Sequence, residues 1–497
     1  MRTHQRILQL VVTVACALLW PIASHGQERF GAISGTVTDS QHAAVPGASV
    51  TVVNDATGAS RLVVSGADGT YSLTDVEPGR YSIAVELQGF QKVEAHDLRV
   101  LLGRTLEFPA VLTVGSVTEV VNVTAEQTRQ IDLNSVTLAH NVTAEELDRL
   151  PKGRSFQSVA LVAPGVNAGE VEAGFTVHGA SGAENSFLVD GVPTNSLIDG
   201  RARGNTVFEY LQEVQVKTGG ISAEYGGALG GVISAVTKSG GNKFTGEAHY
   251  YYIGNGISAG PVPRLQLSPS DDTTVFHVQD PKQKNNQNEA GGSVGGPILR
   301  NRLFFYASVS PRFQRRTNNY LFSNGTDPGS LSSKTTFMQS FGKLTYSAGR
   351  LQANGSILST PTTQTGTLSA YNGTGAQVIS SSLAGNAAQI GRGFKQQQTN
   401  IAGNVDFYLT NSSFVSVRGG LFNDNYFDTG VSTQTAVVWN TTSIGVAGLP
   451  SSLQQPLGYQ NTPRTCRSPM KIGPRRVCGI TSTSCSAPLA RTPRRPL

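Results

Sequence analysis

The segment most similar to a catalytic motif is Gly291-Gly292-Ser293-Val294-Gly295, which matches the G-x-S-x-G pattern around a hydrolase nucleophile. That motif requires a strand, a sharp turn and a helix. The residues from Gly291 to Tyr306 instead have the character of a β-hairpin, and a hairpin accounts for the glycines without any nucleophile. The sequence therefore predicts no serine hydrolase, and no other enzyme site is apparent.

The histidines and cysteines do not have the spacing of a metal site. No histidine pairs with a glutamate at zinc-ligand spacing, and His178 beside Gly179 fits a structural or loop position better than ligation. Cys466, Cys478 and Cys485 are 12 and 7 residues apart, which is not a zinc pattern. The chain also lacks a phosphate-binding loop, so we expect no metal and no cofactor.

Asp190 is the single polar side chain that we select as a candidate ligand contact. Asp190-Gly191 separates two short apolar runs, which predicts a tight turn. The carboxylate has two candidate roles: it fixes the turn, which we favour, or it touches a ligand because this loop lines a pocket.

Charge and cysteine content both depend on one end of the chain. The net charge is +6, but the last 34 residues hold eight basic residues and no acid, so the remainder has 31 basic and 33 acidic residues. The charge of this remainder is not that of a nucleic-acid-binding protein. Residues 27–465 contain no cysteine, which fits an exported bacterial envelope protein without disulfides. Beyond residue 26, no stretch has the roughly 18 apolar residues that a membrane helix needs.

The N-terminal part predicts a leader followed by a β-sandwich. Residues 1–26 have a basic start, an apolar run and small residues before a cut at Gln27, as a signal peptide does. Seven short runs with alternating apolar residues follow within residues 27–115, separated by turns such as Pro46-Gly47 and Pro78-Gly79. The aromatics of this segment (Tyr71, Tyr81, Phe90 and Phe108) are expected in its core rather than on a sugar-binding surface.

From Ser186 to Tyr252 the pattern changes from a soluble fold to membrane strands. Residues 212–218 alternate as a half-buried strand does, and residues 232–237 form a second β-rich run. After Gly240-Gly241, apolar and aromatic residues occupy one face (Phe244, Gly246, Ala248, Tyr250 and Tyr252), and Thr245, Glu247 and His249 occupy the other. Apolar outward and polar inward is typical of a membrane β-barrel strand. Residues 401–409 repeat it, whereas 255–288 and 360–399 are predicted as long polar connectors.

These segments, in this order, resemble the TonB-dependent outer-membrane receptors of the Oar-like group. ISGTVTDSQHAAVPGASVTV with GADGTYSLTDVEPGRYSIAVELQGF resembles a carboxypeptidase-regulatory-like domain, a transthyretin-like or carbohydrate-binding-like sandwich. ELDRLPKGRSFQSVALVAPGV and FTVHGASGAENSFLVDGVPTN resemble the receptor plug. The resemblance implies a mainly β chain with a sandwich at 27–115, a small α+β plug at 126–240 and part of an antiparallel transmembrane barrel at 241–463. It also implies a location in the bacterial outer membrane, in contact with its lipid.

Residues 117–125, VTEVVNVTA, resemble a TonB box, which in this family pairs by strand addition with the periplasmic energising protein TonB. An ordinary strand of the sandwich or plug is the alternative. The resemblance implies that the TonB complex is a partner, that sandwich and box lie in the periplasm, and that the contact residues are Glu119, Val120, Val121, Asn122, Val123, Thr124 and Ala125.

Residues 464–497 are rich in Arg, Pro, Cys and Ser and lose the alternation. We expect a frameshift or truncation here, because a barrel of about 22 strands needs far more than the residues that follow the plug. A genuine basic extension is the alternative. The resemblance implies energised uptake of an unidentified solute, with carbohydrate among the candidate classes. The second hypothesis is a cell-surface β-rich adhesin or structural carbohydrate-binding protein, which leaves the plug signature unexplained.

Overall fold

The computed structural model describes most of the chain from Phe30 onward. The described residues are 30–115, 120–123, 137–149, 155–168, 175–195, 200, 208–223, 225–260, 262–267, 273–279, 282, 284–322, 330–366, 377–379, 393–409, 413–430, 442–451, 454 and 475–484. Within these residues, no helix is long and apolar enough to cross a membrane. The predicted leader, as well as Glu119, Thr124 and Ala125 of the candidate box, lies outside them.

The first unit is a sandwich of two sheets around one apolar core. One sheet has the order β4-β1-β7 with β8 also on β1, and the other has the order β3-β2-β5-β6-β9. Tyr71, Tyr81 and Phe108 are buried in the core and Phe90 packs against it, as expected. The last predicted strand is split at Pro109, which has no N–H to continue the pairing. The strands are β1 Gly31–Asp39, β2 Ser49–Asn54, β3 Ser60–Val64, β4 Thr70–Val76, β5 Gly79–Glu86, β6 Lys92–Val100, β7 Thr105–Glu107, β8 Ala110–Leu112 and β9 Val120–Val123.

The second unit is a small α+β globule. Its central sheet has the order β10-β15-β16-β13-β14, and a separate hairpin joins β11 to β12. Helix α1 (Ala144–Arg149) starts after Thr143, whose N–H donates to Glu146 Oε2 at 2.8 Å, which is one of the two bonds of a capping box. A 3₁₀ segment, Phe156–Val162, follows it. The strands are β10 Leu138–Thr143, β11 Val166–Ala168, β12 Phe175–Val177, β13 Ser186–Val189, β14 Val192–Pro193, β15 Leu211–Gly219 and β16 Val232–Thr237.

The third unit is a long antiparallel sheet that curves around the globule. Its strand order is β17-β20-β21-β22-β23-β26-β27-β28; at the side, β24 pairs with β22 and β26, and β25 pairs in parallel with β21. A separate hairpin joins β18 to β19. The strands are β17 Thr245–Ile253, β18 Arg264–Leu267, β19 Val275–Val278, β20 Lys284–Leu299, β21 Leu303–Phe322, β22 Ser330–Ala348, β23 Leu351–Ser359, β24 Thr362–Thr365, β25 Gln377–Ile379, β26 Gly393–Tyr408, β27 Ser413–Thr429 and β28 Arg475–Ser484.

In this third sheet the apolar face is exposed and the polar face is buried, which is the reverse of a sheet in a soluble protein and agrees with the prediction. Apolar side chains such as Leu344 and Ile357 are about half exposed on the outer face, at 53% and 50%. Polar side chains such as Asn404 and Asp406 are buried on the inner face, at 4% and 3%. Polar inside and apolar outside suits a wall between lipid and a hydrated interior.

Three predictions about local structure need correction. Strand β15 is buried on both faces rather than half-buried, since the sandwich covers its polar side. The polar connectors are not continuous loops, because 255–288 holds the β18–β19 hairpin and the start of β20, and 360–399 holds β24, β25 and the start of β26. The C-terminal tail contains β28, which pairs with β27 in antiparallel register from Ser413↔Ser484 to Phe422↔Arg475.

Candidate functional site

The Asp190-Gly191 turn lies where the globule meets the curved sheet. Both residues have positive φ, 48° and 79°, as a tight hairpin turn requires, and they join β13 to β14. The Asp190 carboxylate accepts hydrogen bonds from Thr237 N–H at 3.0 Å and from Thr237 Oγ1 at 2.6 Å. From the curved sheet, Ser356 Oγ on β23 donates to Asp190 Oδ2 at 3.0 Å. The turn therefore joins two units.

Lys343 on β22 completes this buried polar group. Its Nζ lies 3.9 Å from Asp190 Oδ1 and donates to Thr237 O at 3.1 Å and to Thr237 Oγ1 at 3.0 Å. The side chains of Lys343 and Asp190 are only 2% and 1% exposed. Because a buried charge without its partner is costly, this pair fixes the globule against the wall. It supports the turn-fixing role of Asp190, and ligand contact stays a prediction.

A second polar group joins the sandwich to the globule at Glu213. The Glu213 carboxylate accepts hydrogen bonds from Leu102 N–H, at 3.1 and 3.2 Å to its two oxygens, and from the Asn141 amide. Leu102 O accepts from Asn141 Nδ2 at 2.8 Å and from Gln215 Nε2 at 2.5 Å. Burial raises the pKa of Glu213 to about 7, although the hydrogen bonds from Asn141 and Leu102 oppose the shift.

A charged contact lies beside this group. Arg99 Nη2 and Arg80 Nη2 of the sandwich contact the two oxygens of Glu145, in the first turn of α1, at 2.6 and 3.1 Å. Partial burial raises the pKa of Glu145, but the hydrogen bonds from Arg99 and Arg80 outweigh it and lower that pKa to about 2. Glu145 is half exposed, so solvent screens the pairs and they add orientation more than stability.

The sandwich also contacts the curved sheet. Asn242 Nδ2 donates to Thr57 O and to Asn301 Oδ1, both at 2.7 Å, and Asn354 Nδ2 donates to Glu77 Oε1 at 3.1 Å. A cavity of about 370 Å³ remains where the three units meet. Charged side chains line this cavity, namely Asp55, Glu77, Arg80, Arg99, Glu145, Glu213 and Lys343.

The candidate TonB box has a defined backbone position. Residues Val120–Val123 form β9, which pairs in parallel with β6 at the edge of the sandwich sheet, from Lys92↔Val120 to Ala95↔Val123. This segment belongs to the sandwich sheet through β6, whereas Asp190 contacts Thr237, Ser356 and Lys343 of the globule and the curved sheet, so the two sets of predicted site residues do not form one site.

Sequence reasoning missed Glu213 and Lys343. The sequence does contain a feature that could have identified Glu213, since a carboxylate inside the β-rich run Leu211–Gly219 must be either exposed or hydrogen-bonded to a partner. Lys343 is likewise a charged residue inside a strand, β22. Nothing in the sequence indicates that it faces Asp190, because 153 residues separate the two.

Comparisons with known proteins agree with these three units. Residues 32–135 match a carboxypeptidase regulatory-like domain, residues 132–232 a TonB-dependent receptor plug domain, and residues 236–461 an outer membrane beta barrel domain. The TonB-dependent transporter Oar of Myxococcus xanthus is 30% identical over 326 residues, which are 63% of this chain and 30% of that protein. The chain therefore spans less than a third of the length of this relative.

Two solved structures show limited similarity to this chain at low identity. The outer membrane transporter YddB from Escherichia coli is 17% identical, with 59% of this chain and 39% of that chain covered and a TM-score of 0.44. The siderophore receptor PirA from Acinetobacter baumannii is 16% identical, with 65% and 43% covered and a TM-score of 0.41. These relatives are transporters and receptors rather than enzymes.

Proposed function

We propose that this chain is a TonB-dependent receptor of the outer membrane and that it serves the energised uptake of a solute that remains to be identified. In this proposal the curved sheet is the barrel wall, the globule is the plug, and neither has a catalytic role. The observation that carries the proposal is the fastening of the plug to the polar inner face of the wall through Asp190 and Lys343. Because the plug occupies this interior, a solute passes only when the plug moves, and that movement requires work.

The position of the sandwich supports a periplasmic location for it. The sandwich contacts the wall at Asn242, whose Nδ2 donates to Thr57 O of the sandwich and to Asn301 Oδ1, in the short turn that joins β20 to β21. In outer-membrane barrels the short turns face the periplasm and the longer loops face outward. The sandwich and β9 would then lie on the side where an inner-membrane energising protein reaches the receptor.

The partner in this proposal is TonB, and its contact segment is Glu119 to Ala125. Strand addition requires an extended peptide with an accessible edge, and Val120–Val123 already has extended geometry on β6. TonB would either replace β6 as the pairing strand or add to the other edge of β9. Ligand contact by Asp190 is retained as a prediction within the same proposal.

A pull-down of the full chain in detergent with the periplasmic part of TonB tests the partner. We expect the parent chain to bind and Val121→Pro to lose binding at least tenfold, because proline removes an N–H and prevents pairing. Val114→Pro is the matched control: the neighbouring bridge uses Thr113 O and Gly115 N–H, so position 114 supplies no hydrogen bond to it.

Equal binding of the parent and Val121→Pro would refute the box assignment. Absence of any TonB binding, together with capture of polysaccharide on intact cells, would instead favour the adhesin hypothesis. The solute class is then tested by uptake into cells that express the receptor, across ferric siderophores, cobalamin, oligosaccharides and peptides, with and without the proton gradient.

A further inference from the structure

Three metal-ligating side chains from distant parts of the chain meet where the plug faces the first barrel strands. Glu209 directly precedes β15 of the plug, His249 lies on β17, and Glu289 lies on β20. One ligand atom from each lies within 4.8 Å of the other two. Glu209 and Glu289 are 5% and 0% exposed, and His249 is half-buried, so the cluster is enclosed between the two domains.

The strand register brings the barrel residues together. His249 is opposite Gly291 across the β17–β20 pair, and Glu289 is two residues from Gly291 on the same face of β20. A Cβ at Gly291 would lie 2.4 Å from His249 Nε2, so only glycine leaves room for the imidazole to cross β20. On the plug side, Tyr306 Oη donates to the backbone oxygen of Glu209 at 3.4 Å, which keeps Glu209 beside the wall.

Neighbouring polar groups orient the imidazole and one carboxylate. His249 Nε2 lies 3.0 Å from Ser310 Oγ, and Ser310 Oγ donates to Glu289 Oε1 at 3.4 Å. Arg312 is opposite Glu289 in the β20–β21 register, with its guanidinium carbon 4.6 Å from the centre of the Phe337 ring. Two carboxylates buried this close repel each other, and a divalent cation between them reverses the sign of that interaction.

We propose that Glu209, His249 and Glu289 bind a divalent transition-metal ion, with Zn²⁺ as the best match, and that this ion fastens the plug to the barrel wall. One imidazole nitrogen with two carboxylate oxygens is an established type of zinc ligand set. Zn²⁺ holds such ligands at about 2.0–2.2 Å in a tetrahedral arrangement, so its ligand atoms are about 3.3–3.6 Å apart. Shifts of up to about 0.8 Å in each ligand atom would close the observed cluster onto the ion.

The ion would couple binding to the position of the plug. Glu209 moves with the plug, whereas His249 and Glu289 belong to the wall, so displacement of the plug removes one ligand of three. Binding to the closed arrangement alone stabilises it in proportion to the logarithm of the metal concentration above the dissociation constant. Such a site differs in place and in ligands from the Asp190–Lys343 contact, and it does not depend on the transport proposal.

Metal titration of the full chain tests the site. Cys466, Cys478 and Cys485 are first replaced by serine in every sample, because thiolates of the tail would compete for zinc. The chain in detergent, stripped with a chelator, is titrated with Zn²⁺ against a chromogenic chelator and with Co²⁺ for its visible spectrum. We expect one tight equivalent of metal and a Co²⁺ spectrum typical of nitrogen and oxygen ligands.

Variants then assign the ligands. Glu209→Gln, Glu289→Gln and His249→Asn should each weaken Zn²⁺ binding at least tenfold, whereas His96→Ala, which removes a histidine on the sandwich surface near Glu94, should not. The two glutamine variants keep side-chain volume, and circular dichroism confirms that each sample is folded. A parent chain that binds no metal, or Glu209→Gln that binds it as tightly as the parent, overturns the proposal.

Discussion

Glu213→Gln tests whether a single buried carboxyl controls the contact between sandwich and plug. Burial in the docked state raises the pKa of Glu213 to about 7, from its ordinary value of about 4.5 in water. The docked state therefore binds more protons than the undocked state between these values, so docking strengthens as pH falls from 7 to 4.5. The additional docking free energy is fully present below about pH 4.5 and is lost as the pH rises through about 7.

The size of the effect follows from the pKa difference. Each pKa unit corresponds to about 1.4 kcal/mol, so the docking free energy changes by roughly 3 kcal/mol across this range. That change corresponds to about a hundredfold shift in the docking equilibrium. The neighbouring Glu145 contributes little to the slope above pH 5, because its pKa is lowered to about 2 in the docked state and it is mostly ionised in both states. Glutamine at position 213 carries no titratable proton, so its docking should not change with pH through this group.

Hydrogen exchange measured by mass spectrometry provides the readout. The peptide that contains Leu102 should be better protected in the parent at pH 5 than at pH 8, and Glu213→Gln should lack this dependence. The exchange rate of this peptide in the parent is divided by its rate in the variant at each pH. This ratio cancels the intrinsic pH dependence of exchange, since the Leu102 peptide is identical in both. Equal slopes for the two proteins would refute the assignment of the titration to Glu213.

Two further predictions concern the Asp190 turn. Lys343→Met should lower the free energy of unfolding by roughly 3 kcal/mol, because it leaves the Asp190 charge buried without its cation. Thermal unfolding in detergent measures this loss. The control, Lys334→Met, replaces an exposed lysine on the same strand and should change the free energy of unfolding little. Gly191→Ala should cost about 1 kcal/mol, because φ is 79° there although the added Cβ meets no atom within 4 Å. Gly226→Ala, also in open space and without positive φ, is the control for Gly191→Ala, and equal melting temperatures for those two variants would contradict the role of backbone strain.

The sequence predicted most of the architecture because local patterns carry it. The alternation around Tyr81 and Ile401 and the Asp190-Gly191 turn depend on neighbours in the chain, and the structure confirms each of them. Contacts between domains were not predictable in this way. Glu213 meets Leu102 from 111 residues away, and nothing near either residue specifies the pairing. The error over the polar face of β15 has the same origin, since that face is covered by a turn of another domain.

The composition of the two interfaces indicates which contact separates more easily. The sandwich core consists entirely of residues from 33 to 112, so undocking the sandwich exposes few apolar side chains, chiefly Leu102 and Phe30, whose ring lies under the guanidinium of Arg418 on β27. The plug core instead continues into the wall through Tyr306, Phe341 and Leu358, and Tyr210 stacks on Phe341 with ring centres 4.7 Å apart. Loss of that packing costs roughly 25 cal/mol for each Å² of apolar surface exposed, whereas the polar sandwich contacts can be replaced by water. Force applied through β9 would therefore release the sandwich before it moves the plug.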